Sequence, residues 1–329
     1  GIPSTIDPTA MSITIDQIEP FVFRSPLETP RRNAFGIARE RQVLLVRVVD
    51  GEGREGWGES FSNWPSFGVE YRAHYIREII APALKGFAFE DPPEVFERAS
   101  NRLRPLRQQT ADFGAINQAI AAIDIAVWDL FAKHREQPLW RALGGASAQP
   151  VPVYASALTG DNFDKFLRPA LAKGMKSFKL KVGFGRETDV EALTELRRQT
   201  GADARLMVDA NQIWTPQEAV DNIAALADVT DLFWVEEPIS ALADPDIWAT
   251  LAQQSPVDLA AGENLYGLDA LRPFLANKAV TYFQPDIIKW GGLSGVREVV
   301  KKILANGSSW CPHYLGGGLG LAATAHLIA

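Results

Sequence analysis

SFKLKVGFGRETDVEALTELRRQTGADARLMVDAN (Ser177–Asn211) carries the pattern that decides the fold. A short apolar run ends in a glycine turn, an amphipathic helical stretch follows, and a second apolar run closes the unit. The same alternation extends outward on both sides. VPVYASA (Val151–Ala157) precedes it. LFWVEEP (Leu232–Pro238), DLAAGEN (Asp258–Asn264), TYFQPDI (Thr281–Ile287) and SSWCPHY (Ser308–Tyr314) come after it. One helix start is explicit: Thr215 reads as the N-cap, Pro216 as the first helical residue, and Glu218 closes a capping box. Seven strands separated by helices read as parallel βα units, and their number favours a (β/α) barrel over an open sheet. The chain reaches Ala329 inside what reads as the seventh helix. An eighth strand, the C-terminal part of the barrel, is therefore expected to be absent from this sequence.

Upstream of Pro150 the pattern differs. ITIDQIEPFVF (Ile13–Phe23) alternates apolar and polar residues and reads as a strand. A polar stretch with Pro26 and Pro30 separates it from a second strand, QVLLVRVVD (Gln42–Asp50), and Gly51–Gly58 should turn into a third. From Tyr71 to Gly144 the period becomes helical, with Ile116, Ile120, Ile123, Val127 and Leu130 at three- and four-residue spacing. Residues 11–145 thus form an α+β domain and residues 146–329 the barrel. Residues 1–10, polar and proline-containing ahead of Met11, read as an extraneous leader and stay outside the fold.

Composition narrows the function. A formal net charge of -7 over 329 residues repels phosphate backbones, so nucleic acid is not an expected partner. The single cysteine, Cys311, cannot close an intrachain disulfide. The most apolar run, Ala115–Ala132, is interrupted by Asn117, Gln118, Asp124 and Asp129, so no membrane span is expected. With no secretory leader visible, the expected location is cytoplasmic.

The functional signal is positional. The second to seventh barrel strands end in Lys181, Asp209, Glu236, Glu263, Asp286 and His313, separated by 28, 27, 27, 23 and 27 residues. An acidic residue after one strand ordinarily caps a helix or sits in solvent. Six ionisable groups in one phase of a barrel repeat converge on its C-terminal mouth, where barrel active sites lie. In FKLKV the lysines at 179 and 181 share a strand face, opposite Phe178, Leu180 and Val182. Like charge and burial should push a lysine pKa down there, toward a usable base. Asp209, Glu236 and Glu263 offer an all-oxygen set suited to a hard cation, Mg2+ before Mn2+. Pattern alone leaves Glu236 and Glu237 as alternatives, and Asn211, on the same strand face as Asp209, should also reach the site. Asp286 beside His313 would fix the tautomer of a second acid/base group. His74, His134 and His326 lack such company and are expected to be structural. The run GGGLG (Gly316–Gly320) either holds an anion on its backbone N–H groups or forms a plain tight turn.

Taken in order, KLK (179–181), VDAN (208–211), VEEP (235–238), GEN (262–264), PDIIKWGG (285–292) and PHY (312–314) resemble the enolase superfamily, and within it the mandelate racemase subgroup. IDIAVWDLFAKHREQPLWRALGG (123–145) is similar to that family's link from capping domain to barrel. The resemblance implies an N-terminal capping domain over a TIM-like barrel of modified (β/α)7β type. It implies Mg2+ held by Asp209, Glu236 and Glu263, which decides for the first glutamate of VEEP. Lys181 is then the acid/base on one face of the substrate, Lys179 lies near its carboxylate, and His313, oriented by Asp286, acts on the opposite face. The implied reaction is proton abstraction α to a carboxylate, with dehydration of a sugar acid favoured. Racemisation, lactone cycloisomerisation and an idle metal-binding relative are the alternatives. Arg31, Arg32, Trp64 and Phe67 fall where cap loops overhang the mouth and are expected to meet the substrate, the doubled arginine favouring a dianionic aldarate. Lys289 is not assigned to catalysis. A homo-oligomer is expected on the resemblance alone.

Overall fold

The computed structural model describes residues 12–33 and 36–329, so the leader lies outside the described residues. The N-terminal domain is an antiparallel sheet of β1 (Ile13–Asn33), β2 (Gly36–Asp50), β3 (Glu55–Ser60) and β4 (Ala88–Phe89), in the order β3-β2-β1-β4. The polar stretch read as a break is instead the far arm of one long hairpin. β1 continues through Pro26, which still lies opposite Glu40, and a register shift between Pro26 and Arg31 takes Pro30 out of the ladder. The arm reaches the barrel, where Lys165 Nζ donates to Thr29 Oγ1 at 3.1 Å.

The helix Phe113–His134 is the spine of the molecule. By length and mean apolarity it matches a membrane span, yet 89% of its most apolar window is buried inside the protein. β3 lies directly on it. A Cβ at Gly58 would stand 1.9 Å from the Ala122 carbonyl oxygen, and one at Gly56 2.1 Å from that of Ala126. Glycine at alternate strand positions thus meets small residues one helical turn apart, and the sheet closes on the helix without side chains between them.

The barrel domain is a seven-stranded parallel sheet. Its strands are β5 (Ala155–Leu158), β6 (Ser177–Lys181), β7 (Arg205–Asp209), β8 (Val235–Glu236), β9 (Leu259–Ala261), β10 (Tyr282–Phe283) and β11 (Ser309–Trp310). Each pairs with its neighbours in chain order. Lys181 lies opposite Asp209, and Asp209 opposite Glu236, so the register itself lines up the charged strand ends. Two residues earlier on the same faces, Met207 and Trp234 pack with Ala260, Tyr154, Phe233 and Tyr282 as an aromatic plug. The capping box at Thr215 forms as read, with Thr215 N donating to Glu218 Oε2 at 2.8 Å.

The spine helix also binds the barrel through Asp124. Its buried carboxylate accepts from the Ser294 backbone N–H at 3.0 Å, in the first turn of the helix Gly292–Ala305. Gly292 has φ 55, and a Cβ there would stand 2.4 Å from Asp124 Oδ2. Burial pushes the Asp124 carboxyl up to about 7, and hydrogen bonds from Ser294 and Leu293 offset this only in part. A folded-state pKa above the unfolded value of about 3.9 means the folded chain holds the extra proton between those limits. This contribution to stability is full below about pH 4 and is lost as pH rises through about 7. The unfolding free energy of the wild type, from urea titration, is therefore expected to fall relative to that of Asp124→Asn across that interval, at up to about 1.4 kcal/mol per pH unit.

Candidate active site

β6 to β8 end in a buried ion cluster. Lys179 Nζ donates to Glu236 Oε1 at 2.6 Å and lies 3.3 Å from Asp209 Oδ2. Lys181 Nζ meets the same Asp209 oxygen at 2.5 Å. Gln284 Nε2 donates to Glu236 Oε2 at 2.7 Å. Beyond β9, Glu263 Oε2 accepts from Lys289 Nζ at 2.7 Å and stands 3.4 Å from His313 Nε2. His313 Nδ1 pairs with Asp286 Oδ2 at 2.7 Å, and Asp286 Oδ1 accepts from the Ile288 N–H at 2.9 Å. All six strand-end groups are therefore brought to one end of the sheet.

The electrostatics follow from this pairing. Burial raises the Glu236 carboxyl, and the neighbouring Asp209 charge raises it further. Burial acts the same way on Asp209, but Lys181 and Lys179 outweigh it and hold the carboxyl below its usual range. Glu263 is brought down to about 2, His313 and Lys289 overcoming its burial. Lys179 corrects the expectation of a depressed lysine. Burial does pull its pKa down, yet Glu236, Tyr154 and Asp209 together hold it well above the ordinary value. The lysine is 2% exposed and locked as a cation by carboxylate oxygens of Glu236 at 2.6 Å and Asp209 at 3.3 Å.

The three carboxylates expected to hold a metal are each turned toward a lysine. Among the described residues no three Asp, Glu, His or Cys side chains stand together as a ready cage. The donor set nonetheless suits a hard divalent ion. It is all oxygen, two like charges sit opposite each other on β7 and β8, and Glu263 Oε1 has no hydrogen-bond partner among the described residues.

The other expectations divide. Asn211 does not continue the strand face of Asp209, because β7 ends at Asp209 and Asn211 has φ 47. Its backbone N–H instead donates to Asp209 Oδ1 at 2.9 Å. Glu237, also left-handed at φ 40, turns away from Glu236 and is held by Asn264 Nδ2 at 2.8 and 3.0 Å. Trp64 is half-buried against the hairpin tip, 3.7 Å from where a Gly36 Cβ would stand. Phe67 is exposed, Arg31 is exposed as a whole residue while its guanidinium is partly enclosed, and the Arg32 side chain lies outside the described residues. His326 is structural, its Nδ1 accepting from the Trp140 N–H.

Sequence reasoning missed Arg41, whose Nη2 donates to the Gly316 carbonyl at 2.6 Å, three residues past His313. It missed Gln284, which the strand parity of Asp286 points to, and Glu59. The glycine run does bind an anion, and that anion is Glu59 of the cap. Its carboxylate accepts from the backbone N–H groups of Gly317 and Gly320, the latter at 2.8 Å, and from Tyr314 Oη at 3.3 Å. A Cβ at Gly316 would come within 2.7 Å of that carboxylate.

Residues 17–144 match the mandelate racemase / muconate lactonizing enzyme N-terminal domain, and residues 163–329 match the enolase C-terminal domain-like family. A solved mandelate racemase/muconate lactonizing enzyme from Bordetella bronchiseptica RB50 superposes with TM-score 0.89 at 40% identity, covering 97% of this chain and 84% of that one. A Bradyrhizobium enolase solved with magnesium and mandelic acid superposes with TM-score 0.86 at 29% identity, covering 97% and 85%. D-galactarolactone cycloisomerase of Agrobacterium fabrum is 28% identical over 92% of this chain and 79% of its own length. Other relatives, at 26%, 29% and 26% identity, are an arabinonate dehydratase, an L-talarate/galactarate dehydratase and an N-succinyl-L-Arg/Lys racemase.

Glu59→Gln removes the charge that the glycine N–H groups surround. It is expected to cost about 1.5–3 kcal/mol, read as a lower urea midpoint with an unchanged slope.

Proposed function

The chain belongs to the mandelate racemase / muconate lactonizing enzyme family of the enolase superfamily, and from that premise we propose that it takes the proton α to the carboxylate of a sugar acid and dehydrates the acid to a 2-keto-3-deoxy product. The observation that carries this reading is the 2.7 Å pairing of His313 with Asp286, five strands away from Lys181 in sheet order. Asp286 keeps the proton on Nδ1 and leaves Nε2 to give or take one. Lys181 and His313 are 21% and 12% exposed, whereas Lys179 is sealed at 2%. The two open groups are thus the ones assigned to proton transfer, and Lys179 holds Glu236 and Asp209 in place.

Asp209, Glu236 and Glu263 are the proposed Mg2+ ligands. When bound, Mg2+ supplies positive charge that stabilises the negative charge growing on the substrate carboxylate as its α-proton leaves, an effect of several kcal/mol. Lys181, acting as its neutral amine, takes the α-proton and becomes the ammonium, and protonated His313 gives its Nε2 proton to the departing β-hydroxyl. Water and an enol result, and the enol tautomerises to the 2-keto acid.

The cap supports an aldarate over an aldonate. Arg41 lies over Gly316, and the Arg31 guanidinium is pushed down from its ordinary value by burial first and by the Arg41 charge second. Two cations at one rim favour a substrate whose far end carries another carboxylate. A sugar-lactone cycloisomerase is the second reading, because two relatives are cycloisomerases, of D-galactarolactone and of 3,6-anhydro-alpha-L-galactonate.

The test incubates the protein and Mg2+ with aldonic acids, aldaric acids and their lactones in D2O, scoring keto-acid formation and α-proton exchange. A keto acid from an aldarate is the expected result. Exchange with ring opening and no keto acid selects the cycloisomerase, and silence on every acid leaves the idle metal-binding relative. Lys181→Ala is expected to lower turnover by about 10^2–10^4-fold, and chelation of the metal to abolish it. Full turnover in either case defeats the mechanism.

A further inference from the structure

We infer that Lys289 is a positioning residue for Glu263, set in place by the cap, an inference that rests on the metal reading above. Lys289 is 4% exposed, and its Nζ donates to Glu263 Oε2 and to Asn264 Oδ1, both at 2.7 Å. Nothing in the proposed proton transfers uses this ammonium. Its remaining face lies 4.8 Å from the ring centroid of Phe61, a buried residue of the cap loop. Asn264 is itself pinned, since its amide donates to both oxygens of Glu237. The backbone fixes the same assembly: Phe61 N–H donates to the Ile288 carbonyl at 3.0 Å, and Lys289 N–H to that of Asp286 at 3.1 Å.

The consequence falls on one carboxylate. Glu263 Oε2 takes the contacts from Lys289 and His313, while Oε1 takes none among the described residues. Lys289 ties one oxygen and thereby aims the other. Without it, a buried carboxylate would be left facing only an imidazole and would turn to find another partner. Because the ammonium is roofed by Phe61, cap docking and the orientation of a metal-binding oxygen become one event.

The experiment titrates Mg2+ alone into the full chain by calorimetry, with thermal unfolding of each variant as a check on folding. Outer partners of metal ligands typically contribute about 10- to 100-fold in affinity. Lys289→Met is expected to weaken Mg2+ binding by that factor. Phe61→Leu keeps every charge and covers the case where Lys289→Met does not fold. It is expected to weaken binding several-fold at near-normal stability. Equal or tighter binding in a folded Lys289→Met, or unchanged binding in Phe61→Leu when only that variant folds, overturns the role of Lys289. Absence of Mg2+ binding by the wild-type protein removes the metal reading and this inference with it, and that result is visible without any variant.

Discussion

Charge compensation in a nearly dry space is the constraint that organises this molecule. Five carboxyl groups (Asp209, Glu236, Glu237, Glu263 and Asp286) and three lysine amino groups (Lys179, Lys181 and Lys289) converge on the C-terminal ends of the strands, most of them shut off from solvent. An isolated buried charge costs several kcal/mol, so no member of the set can be placed without its neighbours. The parallel register supplies the order. One-to-one pairing sets Lys181 opposite Asp209 and Asp209 opposite Glu236, and Lys179 bridges the two like charges so placed.

The cap meets this cluster through small residues and short reaches. Gly56 and Gly58 let β3 settle on the backbone of the spine helix, and that closeness carries Glu59 and Phe61 to the barrel. The long arm of β1 and β2 crosses to the first barrel helix at Lys165. Cap and barrel thus share polar contacts at Asp124, Glu59 and Arg41, each made to a backbone group of the other domain. A backbone partner imposes geometry on the contact that a mobile surface side chain does not.

Legibility tracked the regularity of the backbone. Inside β6 the alternation of side chains correctly put Lys179 and Lys181 together, because the strand runs straight through both. The same argument failed for Asn211, since left-handed residues begin just past Asp209 and end the alternation. β1 was read as two pieces because prolines ordinarily stop a ladder, and the bulge that takes Pro30 out of it leaves no mark in composition. The downward pull on Lys179 was also read correctly, but its carboxylate partners come from other strands and reverse the balance. Lys289 went unassigned because it sits in a turn after β10, where no period predicts direction. Arg41 and Glu59 act across more than 250 residues, and no local pattern encodes such pairings.

The grip of the glycine run on Glu59 bears on how the chain assembles. β3 has been synthesised by Ser60, whereas the N–H groups that surround its carboxylate belong to residues 258 and 261 positions later. At roughly 5–20 residues per second, that interval is on the order of 10–50 s of translation. Through that time the nascent sheet can close on the spine helix, but Glu59 must stay hydrated, and the loop beside it cannot seal. A helix residue made 261 positions after Glu59 therefore completes the surroundings of that cap residue. Vectorial synthesis leaves the cap provisional until Gly320 arrives, and the mouth of the barrel cannot acquire its roof before that residue is made.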